Sequence, residues 1–275
     1  MRLTTVKIPY SEGDTIKLHP WGDFHLLSAS CDTTALFAKR EEIINDPLSY
    51  FLFMGDGAEC ITPNDPRWNA GGIDWNILSH GDIDNIPDIT KEYLGDFFQP
   101  LAQKCVGYHR GNHEASVDKH CQTNISTSVM LNAGISLDLY SEGMAFTRLV
   151  FDDGKKHTQS IVINSAHGRQ AGEQDGAKIN KMKRALSYFR CDILVRGHSH
   201  SLFTSPSEWL CPNESHTKLV THRGYVGHTG SYMRAYEHDT TCYAEVADYP
   251  PTTIGCPVFL ITPSRYSPIQ IRAMA

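Results

Sequence analysis

The sequence lacks what would make it a membrane span, a disulfide scaffold or a nucleic-acid coat. Its longest apolar stretches, such as Tyr50–Met54 and Val258–Ile261, are short. A bilayer needs roughly 20 apolar residues. The opening segment MRLTTVKIPYSEGD has no apolar h-region, so no secretory signal is expected. Eight cysteines (Cys31, Cys60, Cys105, Cys121, Cys191, Cys211, Cys242 and Cys256) are scattered and form no C-x-x-C pair. Neither a disulfide framework nor a cysteine zinc site has support in that spacing, and free thiols in a reducing cytoplasm are the expectation. Positive charge is also short. Lys plus Arg number 25 against 31 Asp plus Glu, a formal charge of −6. That balance argues against a general nucleic-acid coat or a membrane-surface binder. It leaves open an enzyme acting on a phosphodiester in a small cleft charged by metal. There is no repeat, low-complexity tract, linker or G-x-S-x-G nucleophile elbow. The segment Gly172–Lys178 (GEQDGAK) has the glycines of a phosphate loop but the wrong spacing, and no Gly-Lys-Ser/Thr follows.

What is present is an ordinary soluble composition, 40% hydrophobic and 20% charged over 275 residues, with 14 histidines. One domain over residues 1–275 is expected. Apolar runs bounded by turn residues read as strands at Thr15–Leu18, Tyr50–Met54, Cys105–Tyr108, Ala145–Phe151, Ser160–Asn164 and Asp192–Val195. Further candidates are Lys218–Thr221, Ala244–Val246 and Val258–Ile261. Helical periodicity marks Asp32 to about Ile44, Lys91–Gln103, Ile125–Asn132 and Ala177–Phe189. In the last of these, Ile179, Met182, Leu186 and Phe189 share one face, and Lys178, Lys181 and Arg184 another. The basic face is expected to be solvated rather than to bind nucleic acid. The first two-thirds thus alternates strand and helix, and the last third is strand and turn. Ile61–His80 is a long loop. Its Trp68 and Trp75 are expected to pack the loop onto the body rather than to form a lid.

Five short signatures each follow a predicted strand: Gly22-Asp23-Phe24-His25, Gly55-Asp56, Gly111-Asn112-His113-Glu114, Ser165-Ala166-His167-Gly168 and Gly197-His198-Ser199-His200. Residues just past the carboxyl ends of strands converge on one edge of an α/β fold. That edge would collect Asp23, His25, Asp56, Asn112, His113, His167, His198 and His200. Carboxylates, imidazoles and one amide suit manganese, iron, zinc or nickel. If the D-x-H and H-x-H segments are extended, both side chains of each pair project to one side.

The order D-x-H, G-D, G-N-H-[DE], isolated H and G-H-x-H resembles the calcineurin-like metallophosphoesterases. The resemblance runs from Asp23 to about Ser231, and Thr229-Gly230-Ser231 resembles the family's Gly-Ser turn. It implies an α/β fold in which a two-sheet β-sandwich is flanked by helices, four layers in the order αββα. It implies two divalent metal ions, manganese foremost. Asp23, His25 and His200 would hold one, Asn112, His167 and His198 the other, and Asp56 would bridge them. A metal-bridging hydroxide would attack phosphorus, and His113 would assist the leaving group. Arg110 and Arg196 adjoin the signatures and could steady phosphoryl charge. Glu114 could orient His113 or favour a helix N-terminus. Tyr232, Arg234, Tyr236 and His238 could line a pocket or lie along a strand.

The chain lacks the Asp-Arg-Gly continuation of the family's protein phosphatases, having Gly57-Ala58-Glu59-Cys60 after Gly55-Asp56. Its G-H-x-H ending resembles the phosphodiesterase and nuclease branches. A phosphodiesterase is the expected activity, on a nucleotide or nucleic acid, although net charge does not favour nucleic acid. A phosphomonoesterase and a non-catalytic scaffold are the alternatives. Set against a G-D-x-x-D pattern, Glu59 reads as one position early, which leaves His113 without an assigned partner. Tyr243–Val258 loosely resembles phosphoesterases of phages or prophages.

Overall fold

The computed structural model describes residues 1–275 apart from 156, 170–173, 214, 237–244, 246–247 and 249. His238 and Cys242 therefore lie outside the described residues, and the candidate strand Ala244–Val246 and the segment Tyr243–Val258 lie partly outside them. The other seven cysteines are free. Among the described residues no helix is long and apolar enough to cross a membrane.

Two six-stranded mixed sheets form the body. One runs β1 (Arg2–Pro9), β6 (Ala145–Asp152), β7 (Thr158–Ala166), β8 (Ile193–Arg196), β10 (Leu219–Thr229) and β9 (Leu202–Pro212). The other runs β12 (Gln270–Met274), β11 (Val258–Thr262), β2 (Ile16–Trp21), β3 (Ser49–Phe53), β4 (Cys105–His109) and β5 (Tyr140–Ser141). Ile16, Leu18, Leu52, Val106 and Phe259 of the second sheet meet Leu149, Phe151, Ile163, Ile193 and Val195 of the first in one buried layer. Helices α1 (Thr33–Asn45), α2 (Ile86–Phe98) and α4 (Ile125–Ala133) supply the apolar cluster on the second sheet's outer face, together with Trp21, Phe51, Phe53 and Tyr108. Helix α5 (Asp175–Tyr188) covers the first sheet through Met182 and Leu186 against Leu194 and Val226. The sandwich flanked by helices is the one the resemblance implies. Each helix buries one stripe and each sheet buries both faces, which is why the central strands read as continuous apolar runs.

Local chemistry sets the helix ends. The Asp32 side chain accepts from Ala35 N at the start of α1, and Asn124 accepts from Thr127 N at the start of α4. Each satisfies an amide that the first turn leaves free. Helix α4 ends at Gly134, whose φ of 75° needs no Cβ to be accommodated.

Several elements differ from expectation. Helix α2 begins at Ile86 rather than Lys91, and Gln99–Lys104 is a separate 3₁₀ turn because Pro100 stands at its start. Lys178 of α5 is buried rather than solvated, with Nζ donating to Ser201 Oγ at 2.5 Å. Trp68 and Trp75 pack against the helical cluster, as expected of a loop lying on the body.

Candidate metal centre

Register brings the signatures to one height. Trp21 pairs with Phe53 across β2 and β3, and Phe53 pairs with Tyr108 across β3 and β4. In the other sheet Ala166 pairs with Arg196 across β7 and β8. All these neighbours are parallel, so five chains leave the sheets at the same edge. Asp23, His25, Asp56, Asn112 and His113 come from one sheet, and His167, His198 and His200 from the other. The site straddles the rim of the sandwich.

The loops reach it through strained backbone, not through extended pairs. Asp23, His25, Asp56, His198 and His200 all have left-handed φ, between 51° and 76°. Such a conformation costs an L residue about 1–2 kcal/mol, and it clusters at sites the surrounding structure over-determines. The expectation of extended D-x-H and H-x-H segments is therefore corrected. Their side chains converge because the chain turns sharply at each residue. Two glycines permit the crowding. A Cβ on Gly55, whose φ is 94°, would lie 2.6 Å from Gly111 Cα. One on Gly111 would lie 2.0 Å from Asp56 Oδ1.

Three sets of donor atoms gather closely enough to hold an ion: Asp23, His25 and His200; Asp56, His167 and His198; and His25, Glu59 and His113. The first two are drawn entirely from residues that the resemblance implies as ligands, with Asp56 in the second set alone. Asn112 joins the second, with Oδ1 at 2.7 Å from His198 Nδ1 and 2.9 Å from His167 Nε2.

The hydrogen bonding shows what the cluster demands. His167 Nδ1 donates to the Met54 carbonyl at 2.7 Å, and a carbonyl only accepts. His167 Nε2 therefore presents a lone pair unless the ring is cationic. It faces Asn112 Oδ1 and, at 3.1 Å, Asp56 Oδ2, both acceptors. His25 Nδ1 donates to Glu59 Oε2 at 2.8 Å, and its Nε2 faces His200 Nε2 at 3.1 Å. Acceptors this close need a cation between them, a proton or a metal. Carboxylates, imidazoles and an amide oxygen are a donor set that could hold divalent metal.

The electrostatics agree. Burial depresses His25, yet the Glu59 hydrogen bond and carboxylate field overcome it and raise it to about 9. Burial acts likewise on His167, and Asp56 raises it to about 10. Burial raises Asp23 to about 6, helped by repulsion from Asp56. Burial and the neighbouring His25 hold His200 well below its usual range. Carboxylates and imidazoles are thus packed with a deficit of positive charge.

The supports are specific. Asp23 accepts from His198 N at 3.0 Å and from Thr229 Oγ1 at 2.6 Å. Ser231 Oγ donates to the Asp23 carbonyl at 2.9 Å, so the Thr229-Gly230-Ser231 turn holds Asp23 in place. Asp56 Oδ1 accepts from His113 N at 3.0 Å. Glu114 is buried, and the hydrogen bonds of its carboxylate go to backbone amides rather than to the His113 ring. Its carboxylate accepts from Gly57 N, Gly111 N and Asp56 N at 2.7, 2.8 and 3.1 Å. It also stands in the first turn of α3 (Asn112–Cys121), so the helix reading of Glu114 stands and the orienting one does not.

His113 does have a partner. Counted from Gly55, Glu59 occupies the fifth position of G-D-x-x-D itself, which corrects the one-place offset. His113 Nδ1 donates to the Glu59 backbone carbonyl at 2.6 Å. Nε2 is the other end of the ring, and Arg67 Nη1 lies 3.4 Å from it. Sequence reasoning missed both Glu59 as a clamp and Arg67.

Four other expectations are settled by contacts. Arg110 pairs with Asp118 at 2.6 Å and Glu142 at 3.4 Å. Arg196 is buried and bonds Asn164 Oδ1 at 2.7 Å. Both arginines are structural. Tyr232 is buried and accepts from Trp21 Nε1 at 2.9 Å, and Arg234 pairs with Asp32 at 3.0 Å. The segment carrying them is an irregular turn with isolated bridges, not a strand.

No protein-family model and no curated protein matches the chain. Solved structures do. A Vps29 double mutant from Entamoeba histolytica is 13% identical, over 94% of this chain and 98% of that one, with a TM-score of 0.38. Wild-type Vps29 of the same organism, complexed with Zn²⁺, is 15% identical over 94% and 98%, with a TM-score of 0.34. A predicted phosphoesterase from Streptococcus pneumoniae is 13% identical over 95% and 90%, with a TM-score of 0.35. None of these supports the phage resemblance, and TM-scores this low carry no functional inference.

Proposed function

We propose that the chain, as one domain, is a metal-dependent phosphoesterase that hydrolyses a phosphodiester. The observation that supports this most is His167 Nε2 facing two acceptors, Asn112 Oδ1 and Asp56 Oδ2, in a buried carboxylate–imidazole cluster. Two divalent ions, when bound, supply Lewis-acid charge at a phosphoryl oxygen and acidify a water towards neutral pH. Asp23, His25 and His200 would hold one, Asn112, His167 and His198 the other, and Asp56 both.

The chain's own groups then divide the remaining work. Glu59 fixes the His25 ring by accepting from Nδ1, so Nε2 stays turned inward. Met54 does the same for His167 through its carbonyl. His113 sits at the N-terminus of α3 with Nδ1 donating to the Glu59 carbonyl, so when the ring carries its second proton, on Nε2, that proton is the one it can pass to a departing oxygen. Asp56 N, Gly57 N and Gly111 N are all held by Glu114, which fixes the Asp56 loop beneath the cluster.

The diester preference is supported by the G-H-x-H ending and the missing Asp-Arg-Gly continuation. It is tested by stripping the protein with chelator, adding Mn²⁺, and comparing bis-p-nitrophenyl phosphate with p-nitrophenyl phosphate. Faster turnover of the diester is expected. Faster turnover of the monoester would make the chain a phosphomonoesterase. No turnover of either, with no metal bound, would leave a scaffold.

A further inference from the structure

The long loop between β3 and α2 carries one arginine to the rim of the cluster. Its guanidinium is gripped on one side only. Arg67 Nε donates to Asp65 Oδ1 at 3.0 Å and Nη2 to Asp65 Oδ2 at 2.7 Å. This is a bidentate pair, the geometry in which a guanidinium is most firmly oriented. Asp65 itself is buried. It accepts from Arg67 N at 2.9 Å, which closes a local turn, and from Ser116 Oγ at 2.6 Å. Ser116 lies on α3, one turn beyond His113. The loop is thereby pinned to the helix that presents His113.

The third nitrogen is left over. Nη1 points at His113 Nε2, 3.4 Å away. Long contacts of this kind are weak. The Arg67 side chain is 42% exposed, whereas Asp65 is 5% exposed. A buried carboxylate thus holds an accessible guanidinium with its free N–H edge beside the proposed leaving-group acid. The Arg67 hydrogen bonds, ahead of its burial, hold Asp65 well below the usual carboxylate range, so the bracket stays charged near neutral pH.

Resting on the phosphoesterase reading, we propose that Arg67 is a substrate-binding residue that donates from Nη1 to a non-bridging oxygen of the phosphoester on the leaving-group side. Asp65 and Ser116 are its positioning residues. Arg110 and Arg196, the arginines adjoining the signatures, are both engaged in structural contacts. Arg67 reaches the same place from 46 positions away in the chain.

The test uses the full chain loaded with Mn²⁺. Arg67→Gln, Arg67→Lys and Asp65→Asn are compared with the parent for metal stoichiometry, KM and kcat on bis-p-nitrophenyl phosphate, and the Kd of inorganic phosphate by calorimetry. Arg67→Gln is expected to weaken phosphate and raise KM by about 10-fold or more, the loss of one charge-assisted hydrogen-bond pair, with metal content unchanged. Arg67→Lys should recover part of the loss, because it keeps the charge and not the fork. Asp65→Asn should fall between them. A parent that turns over diester while Arg67→Gln matches it in KM and phosphate affinity would overturn the clamp and leave the hydrolase reading intact. A parent that binds phosphate through Arg67 yet hydrolyses neither ester would do the reverse. A parent that neither hydrolyses nor binds phosphate would overturn both.

Discussion

The sandwich buries histidines in two places and by opposite means. At the rim, burial depresses His25 and His167, but Glu59 and Asp56 reverse the effect and leave them at about 9 and about 10. In the interior, burial acts alone or with neighbouring positive charge. His19 on β2 falls to about 4, and His109 on β4 and His228 on β10 fall to about 3. The interior rings meet hydroxyls and a carbonyl: Ser49 for His19, Ser165 for His109, Ser199 and the Ser201 carbonyl for His228. Burial by itself only makes imidazole neutral. Convergence with carboxylates makes a place that demands positive charge, and that separates a candidate metal centre from a well-packed core.

The sharpest way to break that distinction is to remove the carboxylate the rim shares. Asp56→Asn keeps the oxygen that accepts from His113 N and abolishes the charge facing His167. It is expected to empty both proposed metal positions and lower kcat/KM by at least about 1,000-fold, roughly 4 kcal/mol of barrier. Elemental analysis after dialysis against Mn²⁺, beside kinetics, measures both. Retention of two ions per chain would show that the rim does not act as one electrostatic unit.

A smaller effect should come from the rim histidine outside the two ligand sets. His113→Ala is expected to keep the metal content and lose rate by about 100- to 10,000-fold, the range of a general acid. Loss of metal in proportion to rate would place His113 with the ligands instead. The His25–Glu59–His113 grouping makes that a real alternative outcome.

The rim was legible in the sequence where chemistry is local. A glycine beside a ligand-type residue after each apolar run marks a strand end, and five of those in order located all eight expected residues. What was illegible depends on contacts between distant segments. Glu59 stands in the G-D-x-x-D pattern but was counted one place off, and its carbonyl contact with His113 has no sequence mark, while Arg67 carries no signature of its own because it acts through a bracket closed by α3. Lys178 sits at helical spacing with Lys181, and only the packing of α5 over Ser201 buries it. Strand β1 was missed because Leu3, Val6 and Ile8 are separated by threonine and lysine on a half-exposed edge. Strand β9 was missed because it carries Pro206, which an edge position tolerates. The left-handed residues were illegible because a favourable extended conformation is the default for Asp and His, and tertiary contacts override it.

The interior histidines supply the mildest and most discriminating test, because it needs neither metal nor substrate. His19 is fully buried, with Nε2 at 3.2 Å from Ser49 Oγ and no hydrogen-bond partner for Nδ1 among the described residues. The charged groups acting on it are Lys39, Glu42, Lys17 and Asp46, and burial outweighs them all. Its folded pKa of about 4 lies below the ordinary 6.5. Between those values the unfolded chain binds the extra proton, so stability rises with pH there and is lost as pH falls from about 6.5 towards 4. The slope is about 1.4 kcal/mol per pH unit for one such group, or about 2 kcal/mol between pH 6.5 and 5. His19→Gln retains an amide for Ser49 and cannot titrate in that window. Urea unfolding of metal-free protein at a series of pH values should therefore give a shallower stability curve for the variant, by about 2 kcal/mol over that interval. Because both proteins share every other ionisable group, the difference between their curves belongs to His19. Parallel curves would mean that the interior ring is already charged, and the contrast between rim and interior would collapse.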